Sequence, residues 1–90
     1  KTINNKYTII MGKTKIEIKG LTTHPTKTLV KMPVGSYTLV RNRKGYALVI
    51  RNAATRLKRE GRGVFYISVN KKFLREIGAN EADVYVERIK

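Results

Sequence analysis

Ninety residues carrying 20 Lys and Arg against 6 Asp and Glu give a formal net charge of +14, with no cysteine. A chain of this size makes one domain or one protomer of an obligate oligomer, and it has no disulfide, thiolate metal site or thiol nucleophile. No apolar run approaches the ~20 residues of a membrane span. The polar Lys1–Lys6, followed only by the apolar patch Thr8–Met11, does not read as a signal peptide. The expectation is a cytoplasmic protein, trimmed at its N-terminus because its first residue is Lys.

Lys6–Met11 is short and partly apolar, and Gly12 offers a turn. From Lys13 to Lys19, charged residues alternate with Thr14, Ile16 and Ile18, the period of a strand with one wet face. The Thr, His and Pro content of Gly20–Lys27 predicts a loop. His24 lies in that loop with no second ligand at metal-binding spacing. Thr28–Met32 predicts a short strand stopped by Pro33. Ser36–Arg41 and Tyr46–Arg51, rich in Tyr, Val, Leu and Ile, flank Asn42, Arg43, Lys44 and Gly45. This arrangement predicts a β-hairpin with a doubly cationic tip. Asn52 then reads as the N-cap of a short helix over Ala53–Glu60, with Gly61 as its stop.

The last third is clearest. Val64–Val69 predicts a strand with Phe65, Ile67 and Val69 on one face. Asn70 can cap a helix over Lys71–Ile77, whose apolar face is Phe73, Leu74 and Ile77, and Gly78 ends it. Asp83–Ile89 predicts the final strand, with Val84 and Val86 on one face. The expected fold class is α+β: a β-rich small domain with a C-terminal strand–helix–strand unit. Residues 1–45 form an N-terminal β subdomain or extension and residues 46–90 the unit, within one compact domain.

Between Glu17 and Glu60 there are ten cations and no carboxylate. Such a block cannot pair its charges internally and calls for an external polyanion, for which phosphate backbones are the commonest source. The candidate nucleic-acid contacts are Arg41, Arg43, Lys44, Arg51, Arg56, Lys58, Arg59 and Arg62. The arginine forks suit phosphate oxygens or guanine edges. Tyr37 and Tyr46, flanking the predicted hairpin, and Tyr66 and Tyr85, alternating with apolar residues, are the candidates for stacking on single-stranded bases, Tyr37 and Tyr46 foremost. Glu76, Glu81 and Glu87 read as solvent-side partners of Lys72, Arg75 and Arg88. No paired catalytic carboxylates, metal-ligand cluster or Gly-rich phosphate loop is present, so no enzyme activity and no cofactor are expected. A small basic ribonuclease and a protein that neutralises an acidic partner are the other classes left open.

The run from Ile67 to Asp83 resembles the core of the AbrB-like (SpoVT/AbrB, swapped-hairpin) family. Ile67 and Val69 stand at the strand end and Lys71 at the helix start. Phe73 and Ile77 occupy the buried helix positions, Gly78 the helix stop, and Asp83 opens the last strand, Val84-Tyr85-Val86. The family's Pro before the helix is Asn70 here, its Gly before the last Asp is Ala82, and its frequent Arg is Tyr66. The resemblance implies a swapped-hairpin dimeric barrel in which neither chain has a core alone. It also implies duplex DNA binding, as a transcriptional regulator or antitoxin-type protein. The family's contacts come from Arg and Lys in the N-terminal half of the unit, which by region is Arg51–Arg62. The expected function is thus a small, basic, homodimeric DNA-binding protein. An RNA or single-strand binding β module using tyrosine stacking is the alternative.

Overall fold

A computed structural model describes Ile9, Ile10 and residues 12–43 and 45–90. It is α+β, as expected. Five strands, β1 (Ile9–Ile10), β2 (Lys13–Lys15), β3 (Ser36–Arg41), β4 (Phe65–Ser68) and β5 (Asp83–Arg88), form one sheet in the order β1-β2-β3-β5-β4. The β2–β3 pair is parallel and the other pairs are antiparallel. Among the described residues there are three helices: α1 (Pro25–Leu29), α2 (Tyr46–Arg59) and α3 (Lys71–Glu76).

Alternation along the central strands divides the core in two. Val84 and Val86 of β5 face α1 and α2, where they join Leu21, Leu29, Met32, Ile50, Ala53, Ala54 and Leu57. Tyr37 of β3 and Tyr85 of β5 face the other way, against Leu74 and Ile77 of α3 and the α3 turn. Helices therefore cover both sides of the sheet. The first cluster mixes residues from before and after position 45, so the two stretches share one sheet and one core.

The predicted hairpin is not formed. Its second strand and the short helix after it are one 14-residue helix, α2, beginning at Tyr46. Gly45 is the N-cap, with φ 76°, a left-handed conformation that favours glycine. Asn42 braces the joint, its side-chain oxygen accepting from the Ala47 N–H at 3.2 Å. Lys44, at the predicted tip, lies outside the described residues. The physical reason for α2 is its period: Ala47, Ile50, Ala53, Ala54 and Leu57 fall on one helical face and pack into the core. Burial of Ile50 and Leu57, both fully enclosed, stabilises by roughly 2–3 kcal/mol each.

Two further predictions are corrected. Thr28–Met32 is not a strand: the segment is the end of α1 and the turn after it. Pro25 opens that helix, where its missing N–H costs nothing. His24 sits at the N-cap without a side-chain capping bond. The strand expected over Lys13–Lys19 pairs only to Lys15, although Ile16 and Ile18 still turn toward the core. The C-terminal unit forms as expected. Asn70 accepts from the Phe73 N–H at 3.0 Å, and Gly78 takes φ 79° at the end of α3.

The second cluster is aromatic. Tyr85 stacks on Tyr37 with ring centroids 5.2 Å apart and meets Phe73 edge-on at 5.0 Å. Its hydroxyl donates to Glu87 at 2.9 Å, and Lys13 pairs with the other Glu87 oxygen at 3.2 Å. Glu87 is thus a buried, fully partnered carboxylate, not the solvent partner of Arg88. Burial raises the pKa of Tyr37, and burial followed by the Glu87 hydrogen bond raises that of Tyr85. Both phenols stay neutral in the fold at a pH where the unfolded chain ionises them. Their stabilisation is therefore intact below pH ~10 and is lost as pH rises above it, by at most about 1.4 kcal/mol per pH unit for each tyrosine. Urea midpoints from about pH 9.5 to 11.5 should fall less steeply in Tyr37→Phe than in wild type. Equal slopes would show that Tyr37 ionises freely in the fold.

Candidate nucleic-acid interface

The acid-free block does not behave as one unit. Arg41, at the end of β3, pairs with Asp83 of β5 at 3.3 Å, a partner 42 residues away in sequence. Arg56 and Arg62 share Glu60, at 3.2 and 3.5 Å. The Arg56 hydrogen bond, with Arg62 adding to it, holds the Glu60 carboxyl below the usual carboxylate range. The block has no acid of its own, but part of its counter-charge comes from elsewhere in the chain: Arg41 and Arg56 of the block, and Arg62 just beyond it, meet Asp83 and Glu60 once the chain folds.

Lys19, Lys27, Lys31 and Arg43 are exposed without a carboxylate partner among the described residues, and the densest group of cations in the block lies on α2. Its inner face is spent on the core, so Arg51, Arg56, Lys58 and Arg59 are exposed, with Asn52 and Thr55 between them. No carboxylate occurs from Tyr46 to Arg59, and among the described residues Arg51, Lys58, Arg59 and Arg43 have no carboxylate partner. At 1.5 Å per residue the helix is ~21 Å long. Arg41 and Arg43 precede it in the chain, at and just after the end of β3, and Arg62 follows it in the α2–β4 connection. The last-turn cations Arg56, Lys58 and Arg59 also complement the helix dipole, whereas Arg51, in mid-helix, gains little from it. The outer face of α3 differs: Lys71, Lys72 and Arg75 alternate with Glu76, and Arg75 binds Glu81 at 2.9 Å.

At its C-terminal end the α2 face runs into a shallow cleft of about 350 Å³ between Lys58, Arg62, Arg88 and Lys90, floored by the Gly61 and Gly63 backbone. Gly63 is required there, because a Cβ would stand 2.8 Å from the Phe65 ring. Lys90 was not among the sequence candidates, and Arg88 was read as a surface ion-pair residue. Its guanidinium instead donates to the carbonyls of Val30 (3.0 Å), Met32 (2.9 Å) and Arg62 (3.4 Å), with Nε to Lys90 (2.7 Å). It also lies over the Phe65 ring at 5.5 Å. No local pattern signals that role, since its acceptors are main-chain oxygens up to 58 residues away.

The stacking candidates divide. Tyr37 is 1% exposed and closed to any base. Tyr46 is half-buried in the first turn of α2. Tyr66, on β4, is the open tyrosine among those described, at 46%. Among the described residues there is no group of His, Cys, Asp and Glu able to hold a metal ion, and no helix long and apolar enough to cross a membrane. No family model, curated protein or solved structure matches the chain.

Proposed function

We propose that this chain is a small DNA-binding protein, a transcriptional regulator or antitoxin-type protein, that lays the outer face of α2 against duplex DNA. The observation that carries this reading is the acid-free outer face of α2, with Arg51, Arg56, Lys58 and Arg59 around Asn52 and Thr55. A helix ~10–12 Å across fits a major groove ~12 Å wide. Arginine, asparagine and threonine are side chains that bond base edges, and the lysine and remaining arginines reach phosphates. The mechanism is counterion release on phosphate contact, with base readout by the mid-helix residues. The resemblance over residues 67–83 supports the same class, although the contacts fall on a helix and not on strands and loops. The burial of Tyr37 weighs against single-strand stacking.

With about six phosphates contacted, log K for duplex should fall against log salt with a slope of about −5. Gel shifts with duplex DNA, single-stranded DNA and RNA at two salt concentrations measure it. A salt-independent affinity, or a preference for single strands, would overturn the reading.

A further inference from the structure

Among the described residues, β4 stands at the end of the sheet order and is bonded to β5 alone. The Val64 N–H donates to Lys90 at 3.2 Å, and the Val64 carbonyl accepts from Ile89 at 2.8 Å. Main-chain groups alternate sides along an antiparallel ladder, so the N–H and C=O of Phe65 and Ile67 point away from β5. Those of Val69 come next in the alternation. This edge is unusual for its charge. From Gly63 to Asn70 there is no charged residue and no proline, in a chain of net charge +14. Natural edge strands are commonly guarded by lysine, proline or a covering element. Here the edge instead displays Tyr66 and Val69, 46% and 36% exposed.

We propose that the β4 edge is a self-association surface, where a second copy of this chain adds its own β4 in antiparallel register to make one continuous sheet. The occupant follows from charge and geometry. Two copies of a +14 chain repel wherever their cationic surfaces meet, and the uncharged edge is where close approach is least opposed. An antiparallel edge is complementary to itself about a two-fold axis. With Ile67 opposite its own copy, Phe65 faces the partner's Val69. The outward groups of both chains then form about six main-chain hydrogen bonds. The two-fold axis is normal to the sheet, so both copies keep the same face on the same side and present both α2 helices together. That last consequence, paired helices toward one duplex, rests on the DNA-binding reading. The dimer itself does not.

Sedimentation equilibrium of the full chain without DNA, from micromolar to millimolar concentration, tests it. Wild type should shift from one to two chains. Val69→Pro, which removes a donor at the open edge, and Tyr66→Lys, which sets two like charges near the axis, should each raise the dimer dissociation constant at least tenfold with circular dichroism unchanged. Hydrogen exchange keeps the test if a variant fails to fold: the Phe65, Ile67 and Val69 amides should gain protection as concentration rises. A wild type that stays monomeric, a dimer indifferent to both folded variants, or exchange at those amides independent of concentration overturns the proposal. Duplex affinity is measured separately, so loss of DNA binding with an intact dimer would overturn the α2 reading alone.

Discussion

Arg88→Ala is expected to lower stability by about 3 kcal/mol, a large share of what a domain of this size has. The guanidinium ties together three segments. It holds the chain after α1 through the Val30 and Met32 carbonyls, the α2–β4 connection through Arg62, and its own strand end through Lys90. Removing it strands part-buried carbonyls and takes the cation off the Phe65 ring. For a 90-residue domain the melting temperature should drop by roughly 12–24 °C. Arg88→Lys should recover less than half of the loss, because an ammonium cannot reproduce a planar fork aimed at several acceptors. A loss below about 1 kcal/mol for Arg88→Ala in chemical denaturation would show that these bonds merely exchange for water.

The second large effect concerns binding. The double variant Arg51→Ala, Arg59→Ala should weaken duplex affinity about a hundredfold and reduce the salt slope by up to about 2, with stability nearly unchanged. Both side chains are exposed and neither has a carboxylate partner among the described residues, so their loss leaves no orphaned charge. The matched control is Lys72→Ala, Arg75→Ala on α3, which removes the same formal charge from the opposite, mixed-charge face. If both pairs weaken binding equally, net charge and not the α2 face is responsible.

The C-terminal third was legible because its signals agree: Asn70 at a cap, Gly78 at a stop, and apolar residues at every second position, Phe65 and Ile67 in β4 and Val84 and Val86 in β5. At Tyr46 the signals conflict. Tyr46, Leu48, Val49 and Ile50 are good strand formers, and Asn42 to Gly45 has turn chemistry, so local composition points to a hairpin. Only the longer period through Ala47, Ile50, Ala53, Ala54 and Leu57 points to a helix, and burial of that face decides the outcome. The excess of positive charge could be read directly. Its neutralisation could not, because Asp83 reaches Arg41 only after β3 and β5 pair. The tyrosines carry the same lesson: Tyr37 and Tyr66 are alike in sequence, and sheet position alone makes one a core residue and the other an open ring.

The place of β5 also bears on how the chain folds. It is the last element in chain order, yet it lies in the interior of the sheet, between β3 and β4. β3 cannot acquire its antiparallel neighbour until residues 83–88 arrive, which means closing a loop that contains α2, β4 and α3. Non-local closure of this kind carries an entropic cost before any contact repays it, and slows folding relative to helical domains of equal size. During synthesis, Val40 and Ile67 must wait unsheltered for Val84 and Val86. The segments before β5 form a set of parts awaiting their keystone, and a chain cut short before Asp83 would lose the middle of its sheet and not an edge.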